Sequence, residues 1–249
     1  MEDTFIELCW KGDLIGAQQF YHLNPTINIS FNNEEAFCFA CEEGQLDVAQ
    51  WLLQIKPDIN ISANNEYAFR WACYSGQLEV VKWLLQIKPD INISANNECA
   101  FRWACYSGQL EVVKWLLQIK PNIDISANNE EGFQEASSNG YLEVAKWLLQ
   151  VSKERGRCID ISANNECAFI YACCCRHLEV AQWLQSLKPY LYVIEYNEQG
   201  KIKNWRIRDN WQKRKYLVWL ALNDCPEENK HNLLYKLPSD VSRMVILHL

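Results

Sequence analysis

Apolar and polar positions recur along this chain in pairs of short helical rhythms. In residues 64–95, NNEYAFRWACYSGQLEVVKWLLQIKPDINISA, the stretch Glu66–Tyr74 sets apolar side chains at Phe69, Ala72 and Cys73. That i, i+3, i+4 spacing predicts a short helix with one buried stripe. Ser75-Gly76 ends it, glycine being suited to the left-handed position after a helix. A second helix is predicted from Leu78 to about Ile87. It buries Val80, Val81, Leu84 and Leu85, and Trp83 extends its apolar face. Lys88-Pro89 stops it, because proline cannot continue a helix. Asp90–Ala95 reads as an extended link carrying Ile91 and Ile93. Asn96-Asn97 reads as a turn, since asparagine tolerates left-handed backbone.

The same wording returns at a fixed interval. The tryptophan of W-L-L falls at Trp51, Trp83, Trp115, Trp147 and Trp183, with gaps of 32, 32, 32 and 36 residues. Glycine falls at Gly12, Gly44, Gly76, Gly108 and Gly140. A period of this size predicts stacked modules rather than one globular core. The first unit is degenerate, around LCWKGDLIGAQQF, and six units cover about residues 2–189. One unit alone cannot bury both helix faces, so neighbours share a continuous core. Units three and four differ at a single position across their shared core, Tyr67 against Cys99, as a recent duplication would leave them.

After Lys188-Pro189 the rhythm changes. Tyr190–Tyr196 is β-branched and aromatic, Asn197–Gly200 is a turn, and Lys201–Arg208 alternates, which predicts a β-hairpin with a four-residue loop. Asp209-Asn210 can cap a helix from about Trp211 to Leu222. The expected organisation is therefore residues 1–189 as a repeat stack and 190–249 as a C-terminal cap.

Composition narrows the function classes. The net charge of −7 argues against general nucleic-acid binding. Lys201–Lys215 is locally basic, but Ile202, Trp205 and Ile207 alternating with charges fit a strand with one solvated face, and no nucleic-acid reading motif accompanies them. No apolar run approaches membrane-spanning length and no signal peptide opens the chain. Cys9, Cys41, Cys73, Cys105 and Cys173 share one repeat position, where cysteine serves as a small apolar core residue. A reducing, cytoplasmic setting is expected, with no disulfide framework. Cys38 and Cys41, and Cys173–Cys175 with His177, lack the paired ligand spacing of a zinc site. No phosphate loop or activated nucleophile is evident, so neither catalysis nor a cofactor is expected.

The motifs resemble ankyrin repeats. Gly76–Leu85 and Gly108–Leu117, G-Q-L-E-V-V-K-W-L-L, are similar to the family's G-H-x-x-V-V-x-x-L-L. Ala68–Cys73 stands where the family has P-L-H-x-A-A, and Lys88–Asn92 where G-A-D-V-N closes a repeat. The resemblance implies a mainly α solenoid of helix-turn-helix units, with the small hairpin and helices at its C-terminal end. The family's T-P-L-H is absent from every unit, which implies first helices less rigidly pre-ordered. Unit six has Arg176 in place of glycine, and VSKERGRC adds four residues before it. The W-L-L and S-A-N-N-E wording is similar to ankyrin proteins encoded by giant DNA viruses, which implies the host cytoplasm.

In such a stack the first helices line a concave groove, and the position before each Ala-Cys pair points into it. It reads Phe39, Trp71, Trp103, Glu135 and Tyr171, with Tyr74 and Tyr106 three residues beyond Trp71 and Trp103. Exposed tryptophan and tyrosine in a row mark a binding surface. The alternative is that these rings pack between neighbouring first helices. Arg70 and Arg102 beside them either pair with an acidic partner or lie as solvated stems over helix surface. The W-L-L tryptophans are expected to pack between repeats.

The last residues, LPSDVSRMVILHL, resemble the opening of an F-box. Leu237, Pro238, Asp240 and Val241 match L-P-x-E-hydrophobic, and Val245, Ile246 and Leu249 fall on the later apolar positions. Ending there is similar to the PRANC segment of poxvirus ankyrin proteins, which implies recruitment of the Skp-type adaptor of an SCF ubiquitin ligase. Two functions follow. Either the protein is a substrate receptor that binds a target on its concave face and the ligase through its tail, or it is a scaffold or inhibitor whose tail only caps the stack. In both it acts as a monomer on a protein target, without nucleic acid or membrane.

Overall fold

The computed structural model describes residues 1–189 and 191–207. Its contacts divide the chain into two compact units, Met1–Trp183 and Leu184–Leu249. Twelve helices form six antiparallel pairs among the described residues. The first helices are α1 (Glu2–Trp10), α3 (Phe31–Glu42), α5 (Ala63–Tyr74), α7 (Ala95–Tyr106), α9 (Ala127–Ser138) and α11 (Ala163–Cys174). The second helices are α2 (Leu14–Leu23), α4 (Leu46–Ile55), α6 (Leu78–Ile87), α8 (Leu110–Ile119), α10 (Leu142–Glu154) and α12 (Leu178–Leu187). Each first helix packs on the next first helix along the stack. The expected six-unit helical solenoid is what the chain forms.

Packing follows the predicted stripe. Phe37, Phe69, Phe101, Phe133 and Phe169 occupy one repeat position and are all buried, as are the alanines three residues on. Cys9, Cys41, Cys73, Cys105 and Cys173 complete the stripe, each at most 3 % exposed. Burial pushes the Cys9 thiol up to about 12, since a thiolate there would lose its water. Small alanine and cysteine side chains let the first helices approach closely. On the second helices Trp51, Trp83 and Trp183 reach back to Phe5, Phe37 and Phe133 of the preceding unit, with ring centroids 6.1, 6.3 and 6.2 Å apart. These tryptophans therefore bridge repeats.

The turn inside each pair is as predicted at Gly76, which has φ +77°. Gln77 N donates to Ala72 O across it, the six-to-one bond of a glycine C-cap. A Cβ there would also lie 2.2 Å from Gln109 Oε1 of the next unit. Arg176 takes the same left-handed conformation, φ +62°, without the freedom of glycine.

The link between pairs differs from the extended segment expected. Ile91 N donates to Lys88 O and Ala95 N to Asn92 O, so Lys88–Ala95 folds as successive turns. The chain then enters a left-handed turn: Asn64, Asn65 and Glu66 have φ of 51, 56 and 63°, and four other units repeat this. Left-handed backbone costs roughly 1–2 kcal/mol per L residue, less for asparagine. The turn persists because side chains hold it. Ser62 Oγ donates to Glu66 Oε2 at 2.7 Å, and Glu66 Oε1 accepts Asn92 N of the next unit at 3.2 Å. This Ser-Ala-Asn-Asn-Glu lock, with phenylalanine for alanine in unit two, makes both bonds at Glu34 and Glu66 and so orders the start of α3 and α5, where T-P-L-H is missing.

The four added residues before unit six are absorbed locally. α10 is 13 residues long where α6 and α8 have 10. The inter-unit bond re-forms with Asp160 N donating to Glu130 Oε1, 30 residues apart rather than 26.

In the second unit β1 (Tyr192–Tyr196) pairs antiparallel with β2 (Ile202–Ile207). Asn197 Oδ1 accepts from Gln199 N and Lys201 N, which closes the predicted loop. A bulge at Lys203 keeps Ile202 on the face of Trp205 and Ile207, opposite Tyr196, Ile194 and Tyr192. That bulge accounts for the three-residue step between Ile202 and Trp205. The helix expected at Trp211–Leu222 and the Leu237–Leu249 segment lie outside the described residues.

Candidate recognition surface

Five rings from two neighbouring first helices meet on one face. Trp71 lies 5.6 Å from Tyr67, 5.1 Å from Tyr74 and 5.1 Å from Trp103 between centroids. Tyr74 stacks on Tyr106 at 6.0 Å with 25° between ring planes. Edge and offset geometries of this kind suit aromatic quadrupoles. The two sequence readings, groove and packing, both describe part of this cluster. Trp71 and Trp103 are half-buried against each other, whereas Tyr106 is 42 % exposed. Trp71 Nε1 is buried with no hydrogen-bond partner among the described residues. Phe39 and Tyr171 stand apart from the five rings, on α3 and α11, and Tyr171 is 52 % exposed.

The arginines are not exposed cations. Arg70 and Arg102 are each 8 % exposed. Arg70 Nε donates to Asn65 O at 2.8 Å and its Nη2 to Asn64 O at 2.9 Å. Arg102 makes the same pair with Asn97 O and Asn96 O and reaches Glu131 as well. The left-handed turn directs two carbonyls inward, and a forked guanidinium satisfies both. Gln134 does part of this in unit five, donating to Asn129 O at 2.6 Å. Arg70 also lies over the Trp103 ring, 5.1 Å from its centroid. Sequence reasoning missed this clamp. Its signal was the constant offset of five residues between the second asparagine and the arginine.

Two cavities open on the N-terminal part of the face. One of about 330 Å³ between α1 and α3 is lined by Asp3, Ile6, Glu7, Trp10, Glu35 and Phe39. A smaller one of about 150 Å³ is lined by Asn32, Asn33, Glu35, Cys38, Phe39, Asn64 and Tyr67. Phe39 and Glu35 border both, so Phe39, expected in the groove, forms its wall here. Asp3, Glu7 and Glu35 make their lining acidic. Elsewhere on the first helices, burial, with Glu43 beside it, raises the Glu42 carboxyl above its usual range, and burial with Glu131 does the same to Glu135 on α9. Of the three differences between units three and four, the one within their first helices falls on this face, where Tyr67 lies tilted against Trp71 and Cys99 accepts a contact from Arg70 Nη1 at 3.5 Å.

Among the described residues no helix is long and apolar enough to cross a membrane. The ligase-recruiting candidates Leu237, Pro238, Asp240, Val241, Val245, Ile246 and Leu249 lie outside the described residues.

A family model for ankyrin repeats in three copies matches residues 12–97, 37–129 and 101–193. Among solved structures, the human ASB11 ankyrin repeat domain is similar, with a TM-score of 0.53 and 20 % identity, covering 80 % of this chain and 88 % of that one. No curated protein matches this chain. Ankyrin repeats are generally protein–protein interaction modules, and no catalytic family is indicated. The recurrent helix pairs, the inter-repeat packing and the family match agree: this chain belongs to the ankyrin-repeat family.

Proposed function

We propose that the protein is a non-catalytic recognition module that binds a protein target on its first-helix face, at Phe39, Trp71, Tyr74, Trp103, Tyr106 and Tyr171. The observation that carries this reading is the five-ring cluster, half open to solvent and continuous with two cavities on the same face. Large rings held rigid by their neighbours lose little entropy on binding, which suits them as anchors. The test is selection of peptide ligands from a random library, followed by mapping on the protein by hydrogen exchange. Ligands should protect α5 and α7 and lose affinity with Tyr106→Ala and Tyr171→Ala. Protection confined to the second helices would refute the reading.

A second reading rests on one sequence observation, the LPSDV segment with its spaced apolar residues. In it the tail recruits the Skp-type adaptor and the repeats select the substrate; the alternative for residues 190–249 is a cap on the stack. A viral protein acting as a monomer in the host cytoplasm fits this reading through the wording of its repeats alone. Binding of the Skp adaptor by the full chain but not by residues 1–233 supports recruitment. A shortened chain that merely melts earlier, with no adaptor binding by either form, supports the cap.

A further inference from the structure

The charges of the two helix layers are distributed differently. On the second helices Lys82, Lys114 and Lys146 pair with Glu79, Glu111 and Glu143 at 2.8, 2.8 and 3.0 Å. Along the first helices the only basic residues are Arg70 and Arg102, both buried and committed to backbone carbonyls. Asp3, Glu35, Glu42 and Glu135 on that layer have no ion pair among the described residues. Glu7 does have one, with Lys11. A face of carboxylates and rings without an available cation attracts one from outside, because the rings present negative π faces and the acids present full charges.

The cavity between α1 and α3 sharpens the match. Ile6, Trp10 and Phe39 provide apolar walls, while Asp3, Glu7 and Glu35 provide acidic groups. A side chain with an apolar stem and a cationic head fits such a lining, and only lysine and arginine have both. We propose that the first-helix face binds a basic, extended segment of a partner protein, one of whose arginine or lysine side chains enters this cavity over Phe39 toward Asp3 and Glu35. Further cations of the segment meet Glu42 and stack on Tyr74 and Tyr106. Crossing from α1 to α7 takes three interhelical steps of about 10 Å each. At roughly 3.3 Å per residue the segment spans about nine residues.

This rests on the first-helix face being the recognition surface, and the experiment separates the two ideas. Three labelled nine-residue peptides are titrated into the full chain by fluorescence anisotropy: alternating arginine and alanine, and the same with glutamine or glutamate for arginine. The basic peptide should bind, at least tenfold more tightly than the glutamine peptide. Asp3→Asn/Glu35→Gln/Glu42→Gln should weaken it about tenfold or more, and Tyr106→Ala severalfold, with melting unchanged. Glu79→Gln/Glu111→Gln/Glu143→Gln changes the net charge equally on the other layer and should leave binding intact. Equal weakening by both triple variants would reduce the effect to net charge and overturn the inference. So would a basic peptide that binds no better than the glutamine one. A glutamine or glutamate peptide that binds best and depends on Tyr106 would keep the recognition face and refute its cationic partner.

Discussion

At the residue scale, the clearest assignment is Arg70. Its buried guanidinium donates to two backbone carbonyls of the left-handed turn, those of Asn65 and Asn64. Hydrogen bonds to a charged group are worth about 1.5–3 kcal/mol, and buried carbonyls left unpaired add to the loss. Arg70→Met should therefore destabilise the protein by about 2–4 kcal/mol in urea unfolding. Arg70→Lys should recover only part of this, since an ammonium cannot fork between two acceptors. Equal stability of Arg70→Met and wild type would show that the carbonyls are satisfied another way.

The core cysteines give a pH dependence of definite sign. Burial raises Cys9 and Cys38 from an ordinary 9.0 to about 12 in the folded state. The folded protein therefore holds protons that the unfolded chain has already released. Their contribution is fully present below pH 9.0 and is lost as pH rises toward about 12. Urea midpoints should fall across that window, and Cys9→Ala/Cys38→Ala should flatten the fall. A disulfide reagent should meanwhile react fast with the exposed Cys158, Cys174 and Cys175 and slowly with the buried thiols.

At the element scale, the turn between paired helices demands a left-handed residue. Glycine supplies it in five units, and Arg176 supplies it in the sixth under strain. Arg176→Gly should stabilise the protein by about 1 kcal/mol, by removing the Cβ penalty. Gly76→Ala should destabilise it by at least as much, because its Cβ also meets Gln109. Thermal midpoints moving in opposite directions would confirm the pair, and an unchanged Arg176→Gly midpoint would deny the strain. Both helices of each pair and the hairpin were legible from periodicity, because i, i+3, i+4 and alternating contacts are local. The Ser-Ala-Asn-Asn-Glu lock was legible only as a turn. Its energy comes from Glu66 bonding Asn92, 26 residues away, which no local pattern reports.

At the scale of the whole molecule, the near-identity of units three and four permits a deletion in which unit three replaces unit four against unit five. Removal of residues 96–127 would set α5 against α9, with Arg70 inheriting the place of Arg102 beside Glu131. Stability in a stack is a sum of unit and neighbour terms, so the shortened protein should fold with native-like circular dichroism and a lower midpoint. It should also lose much of its affinity for the basic peptide, because Trp103 and Tyr106 leave the face. Full affinity in the shortened protein would place the peptide elsewhere.

The sequence by itself determined the period, the helix pairs, the buried stripe with its cysteines and the hairpin with its loop. Each of these is set by contacts between residues near in the chain, or by a repeat that copies them. The tertiary structure alone decided which side chains are free to act. Arg70 and Arg102 look like surface charges in the sequence, and the left-handed turn draws them inside. Trp71 and Trp103 look equivalent to Phe39 and Tyr171, yet the first two meet ring to ring, whereas Phe39 lines the cavity beside α1 and α9, which carries Glu135 at this position, stands between Trp103 and Tyr171. Glu35 and Asp3 lie 32 residues apart and become one acidic cavity only through stacking. Availability depends on what the adjacent repeat has already satisfied, and that is a property of packing.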